Sequence, residues 1–368
     1  MTPSASLFLD AARFIAAMVV FLSHLTNVSI NAVFPWVHWG HEAVVVFFVI
    51  SGYVIAYVTA TGERIFADYA AARLGRLYSV VAPALALTLV LDGVGMAVAP
   101  ALYSLPDHQQ SLVRLLANLL FMQESWNFTI TALSNRAFWS LAFEFWYYVI
   151  FAVFFFAKGR ARVVLVGLSM LAAGPRIVAY FPLWLLGLAT YHISARWAPS
   201  PDIIWPARLL CAATIMAMLW MGSPLAHMKD AMDAAYPDRM LHLGGLAIFI
   251  GDLPRLPADL LLGVVFSAML YFAQGELANA QAFAARAIRY LAGATFTLYL
   301  FHLPLVYFFI AVCHFSKDSL SDIVVTGVLV VASCMAFSHL FERRGADYRR
   351  FFRNLFQLVG RRATQAAG

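Results

Sequence analysis

Ten mostly apolar stretches follow one another along this chain, joined by short polar links. A helix needs about 20 such residues to cross a hydrocarbon core about 30 Å thick, and in lipid only helices and closed barrels satisfy their own backbones. The stretches are 9–30, 43–61, 77–99, 138–157, 163–176, 177–194, 207–222, 258–273, 289–312 and 322–341. They predict an all-α integral membrane protein of about ten transmembrane helices. The run 163–176 is short and ends in Gly174-Pro175, so a kink or tilt is expected there; the briefer run 112–122 reads as a half-helix or interfacial segment. Composition agrees. Only 12% of the 368 residues are charged, against about 25% in soluble domains.

The basic residues orient the bundle. All but Lys158, Lys229 and Lys317 of the 25 are Arg. With the N-terminus in the cytoplasm, eighteen fall inside, among them Arg13, Arg73, Arg76, Arg289 and the tail cluster Arg343 to Arg362; seven fall outside. The positive-inside rule therefore predicts both termini cytoplasmic, and it accounts for the net charge of +6 without a nucleic-acid partner. The long outer loop 223–257 holds Asp230, Asp233, Asp238 and Asp252 and reads as a roof over an acceptor site. Residues 1–341 form the expected transmembrane domain. Residues 342–368 form a basic cytoplasmic tail whose Phe351, Phe352, Leu355 and Phe356 suit an anchor or an amphipathic helix on the inner leaflet. The N-terminus does not read as a cleaved signal. Cys211, Cys313 and Cys334 read as small hydrophobes, without metal-ligand spacing.

Arg13 and His24 both lie in the first apolar run. Eleven helical steps return to within about 20° of the starting direction, about 16 Å along the axis. A cation and a titratable imidazole thus share one face, with Asp10 one turn before Arg13 and able to pair with it. Such groups are costly in hydrocarbon and face a protein interior or polar cavity. His302, thirteen residues after Arg289, is expected about 20 Å deep, and Glu144 about 9 Å below the opposite face. The three groups therefore converge on one level. For His302 and Glu144 a purely structural hydrogen bond competes with a functional role.

Arg73 and Arg76 stand one turn apart and suit capture of phosphates; spacing alone equally allows positive-inside anchors. Ser51-Gly52 interrupts the second apolar run, where small residues permit close helix approach. His38, His41 and Glu42 are too sparse a set for a metal site, and none is expected.

In order along the chain, Leu9-Asp10-Ala11-Ala12-Arg13 with His24, Phe47-Phe48-Val49-Ile50-Ser51-Gly52-Tyr53, Arg73-x-x-Arg76, Trp139-Ser140-Leu141-Ala142-Phe143-Glu144 and Thr297-Leu298-Tyr299-Leu300-Phe301-His302 resemble the motifs of the acyltransferase-3 family of bacterial membrane acyltransferases. Many members carry an acidic residue two positions before the paired Phe; here that position is Val45, with Glu42 one turn earlier. The resemblance implies transfer of an acyl group, often acetyl, from cytoplasmic acyl-CoA to a carbohydrate hydroxyl across the inner membrane. On that reading His24 is the general base, Arg13 helps to bind the donor or tune the cavity, and Arg73 and Arg76 hold CoA phosphates. Glu144 or Asp10 orients a partner, and Trp139, Ser140, Tyr299 and His302 support the site. No Gly-x-Ser-x-Gly elbow is present. A transporter or exporter of a sugar or lipid-linked glycan is the competing reading, since mid-membrane polar groups also mark transport pathways. Acceptor identity, acyl chain and oligomeric state are not set by these residues.

Overall fold

A computed structural model describes residues 1–29, 39–104, 108–220, 234, 240–243, 246–249, 251, 253–274 and 282–366. Most of the expected roof, 223–257, lies outside the described residues, as do His38, Asp230, Asp233, Asp238 and Asp252. The chain opens with α1 (Pro3–Ser29), α2 (Gly40–Thr61) and α3 (Phe66–Val98). The short α4 (Ser111–Leu119) precedes α5 (Trp139–Phe156), α6 (Gly159–Ala173), α7 (Pro175–Arg196) and α8 (Pro201–Trp220). Strands β1 (Met240–Leu243) and β2 (Leu246–Phe249) pair antiparallel. Then come α9 (Leu256–Phe272), α10 (Ala282–Ala292), α11 (Thr295–Val312), α12 (Leu320–Leu340) and α13 (Gly345–Ala366).

The expected membrane helix bundle is present, with nine spans rather than ten among the described residues. The difference is the run 163–176. Helix α6 has 15 residues, a rise of only about 22 Å. It stops at Gly174, whose φ of 91° is open to glycine, and Pro175 starts α7 at the first helical position, where proline is tolerated.

Two other boundaries shift. Helix α3 begins at Phe66 rather than near 77, so Arg73 and Arg76 lie inside it. Their charges depress local hydropathy, yet Arg73 pairs with Glu63 and Arg76 faces a polar cavity, and the helix continues. The stretch 289–312 divides at Gly293-Ala294 into α10 and α11. Glu342 makes that break stable: Oε1 accepts from the Phe296 amide at 3.1 Å and Oε2 from the Thr297 amide at 2.8 Å. A carboxylate from a distant segment thus satisfies amides that a helix start leaves open, at the positive end of its dipole.

Helix α11 is the axis of the bundle, packed by α1, α3 and α12, with every side chain from Thr297 to Val306 buried. Pro304 cannot bond to the Leu300 carbonyl, and Asn135 Nδ2 donates to that oxygen instead, at 2.7 Å. Helices α2 and α7 cross backbone to backbone. A Cβ on Gly52 would stand 1.9 Å from the Trp184 carbonyl, and one on Gly187 1.8 Å from that of Val49. Ser51-Gly52 thus serves the close approach expected of it. The tail helix α13 lies along α3, where a Cβ on Gly75 would meet the Arg349 backbone at 2.6 Å.

Candidate active site

A cavity of about 230 Å³ opens at the bundle end that holds the N-terminus, bounded by α1, α2, α3, α5 and α11. Its polar wall consists of Arg13, Ser51, Arg76, Ser140, Glu144, Thr295, Tyr299 and Glu342. Asp10 flanks the site, with Oδ1 3.9 Å from Nη1 of Arg13. Glu144 accepts from Ser51 Oγ at 3.3 Å and from the Tyr148 hydroxyl; Trp184 Nε1 donates to Ser51 Oγ at 3.2 Å. Glu144 also lies within electrostatic reach of both Arg13 and Arg76. Two guanidiniums and two carboxylates therefore share the cavity, each acid held by donors, as burial of ionised groups requires.

Arg73 is not part of this set. Its Nη2 donates to both carboxylate oxygens of Glu63, at 3.1 and 3.3 Å. The guanidinium lies 5.8 Å from each of the Tyr69 and Tyr148 ring centres. The two arginines paired by spacing thus separate, Arg76 to the cavity and Arg73 to a buried ion pair.

Three turns along α1 from Arg13, His24 Nδ1 is 2.8 Å from His302 Nε2. The rings lie edge to edge and nearly coplanar, their centres 5.0 Å apart and their planes 11° from parallel, and His302 Nδ1 is 2.9 Å from the Leu298 carbonyl. His302 is fully buried; His24 is half-buried. The expected three-way convergence is therefore corrected to a pair, because Glu144 lines the cavity with Arg13 and Arg76 and takes Ser51 and Tyr148 as partners instead. His24 does not line the cavity. Between the two stands Tyr299, its ring 5.7 Å from Phe47 and 6.5 Å from His302, its hydroxyl 2.6 Å from Ser140 Oγ. Trp139 faces away from the cavity and stacks on His41, whose Nε2 is 2.8 Å from Asp259 Oδ2. Among the described residues no three His, Cys, Asp or Glu gather as metal ligands.

Sequence reasoning missed Tyr148, Glu63 and Glu342. Tyr148 is four residues after Glu144 on α5, a spacing that places both on one face. Glu63 lies in the link before α3, and Glu342 follows the last apolar run, so neither carried a signal.

A membrane helix bundle with an arginine–carboxylate cavity and a neighbouring histidine pair sets the class, and the comparisons agree. Residues 6–339 match a family model described as an acyltransferase domain, and the chain belongs to this acyltransferase-3 family. An O-acetyl transferase of Shigella phage Sf6 is 32% identical over 196 residues, 49% of this chain and 57% of that relative. The match thus spans little more than half of the relative's length. No solved structure matches the chain.

Proposed function

We propose that this protein is an O-acyltransferase of the bacterial inner membrane. It moves an acyl group, acetyl by preference, from cytoplasmic acyl-CoA to a hydroxyl of a sugar or exported polysaccharide on the periplasmic side. The distribution of arginines supports cytoplasmic termini, which turns the cavity of Arg13 and Arg76 inward and His24 outward. The observation that carries the reading is His24: a partly buried imidazole hydrogen-bonded to a second, fully buried one, with Tyr299 of the cavity wall beside that second ring.

Arg76 and Arg13 bind the donor at the cavity, with charge balance set by Glu144 and Glu342. His24 takes the proton of the acceptor hydroxyl as its oxygen attacks the thioester carbonyl. The C–S bond then breaks, and the imidazolium returns the proton to the leaving thiolate. A base of this kind contributes about 10²–10⁴-fold to the rate. Tyr299 and Ser140 form the boundary that the thioester end must reach.

The test uses purified protein in proteoliposomes, labelled acetyl-CoA and a candidate glycan. Label moves to the glycan with the wild type and not with His24→Ala. Glycan that crosses the bilayer intact, with no label gained, identifies a transporter instead.

A further inference from the structure

We propose that His302 is a positioning residue that fixes the tautomer of His24 and so selects Nε2 of His24 as the proton-accepting atom. The inference rests on the reading of His24 as the base. It follows from one group in the chain of contacts that has no choice of role. A backbone carbonyl only accepts, so the 2.9 Å contact with the Leu298 oxygen places a proton on Nδ1 of His302. A neutral imidazole then carries its lone pair on Nε2. That atom faces His24 Nδ1 at 2.8 Å, which must donate. His24 is left with its own lone pair on Nε2, the nitrogen turned away from His302.

The alternatives each cost more. With the opposite tautomers, the lone pair of His302 Nδ1 would point at the Leu298 oxygen, two acceptors 2.9 Å apart. A doubly protonated His302 would satisfy the carbonyl but bury a charge at 0% exposure, which is expensive without a compensating partner. Packing holds the arrangement. The Phe21 ring meets His302 edge-on at 5.9 Å, and Tyr299 does so at 6.5 Å. The Asn135 amide anchors the same stretch of α11 at Leu300. In a base supported by a carboxylate, orientation and charge stabilisation come from one group; here a neutral ring supplies orientation alone. When His24 takes the acceptor's proton at Nε2, its Nδ1–H remains bonded to His302, and the new proton stays on the nitrogen from which it can be returned.

Solid-state ¹⁵N NMR of histidine-labelled protein in lipid bilayers reads the tautomers directly, with signals assigned through His24→Ala and His302→Leu. The expected wild-type spectrum has His24 protonated on Nδ1 and bare on Nε2, and His302 likewise. In His302→Leu the His24 signal becomes a mixture, kcat falls about 100-fold or more, and KM for donor stays within about twofold. His302→Gln, whose amide oxygen can accept from His24 Nδ1, recovers at least about tenfold of the lost kcat. A wild-type spectrum with His24 protonated on Nε2 overturns the proposal, and so does a His24 signal indifferent to His302→Leu. The wild-type spectrum decides even where a variant does not fold. Full activity in His24→Ala sinks the reading of His24 as base, whichever tautomer the spectrum shows.

Discussion

Arg73 and Arg76 show how one helical turn separates two fates. Removing one partner of a buried ion pair costs about 3–5 kcal/mol, because the other charge is stranded. Arg73 is 9% exposed and bonded to Glu63, so Arg73→Ala lowers the thermal unfolding midpoint, and so does Glu63→Ala. Arg76→Ala, at the cavity wall, chiefly raises KM for acyl-CoA. Thermal scans and donor titrations of the two variants test this; equal losses of stability with unchanged donor KM for both refute it. Spacing could not have told the two apart, since Glu63 lies before α3 begins. What the sequence did reveal was Arg13, His24, Glu144 and His302, ionisable residues set within apolar runs where hydrocarbon makes them conspicuous, although it passed over the buried Asp92 and Asp259 in such runs. Residues whose work depends on a partner from a polar link, such as Glu63 and Glu342, carry no such mark.

The helices themselves were legible wherever a run was long and uniformly apolar, as for α2, α5 and α12. Boundaries failed where a distant group decided them. The α10–α11 break depends on Glu342, and α3 extends past its apolar limit because Arg73 pairs with Glu63 and Arg76 faces the polar cavity. Glu342→Ala removes a cap worth about 0.5–2 kcal/mol and leaves Arg76 less compensated, so it lowers stability and raises KM for the donor; matched thermal scans and donor titrations read the two effects. The crossing of α2 and α7 is stricter. Gly187→Val would drive side-chain atoms into the Val49 carbonyl, part the helices, and take Ser51 and Trp184 from beside Glu144. Its expected outcome is loss of monodisperse protein in size-exclusion chromatography. Gly167→Ala, which meets nothing within 4 Å, is the control and stays monodisperse.

At the scale of the whole molecule, the direction of insertion can be read from a native side chain. Cys313 is exposed beyond the end of α11 remote from Arg13, whereas Cys211 and Cys334 are buried. In intact cells an impermeant maleimide should label the wild type and not Cys313→Ala. Labelling that appears only after permeabilisation inverts the proposed topology. The Tyr299 and Phe47 rings, which meet in the cavity wall, bear on the energetics of the host cell. A wet passage lined by arginines and acids and running clear through the bilayer would short-circuit the proton gradient. On the proposed donor route, these rings would let an uncharged thioester tip be handed over while ions stay on their own side, so the bilayer would remain an insulator during group transfer.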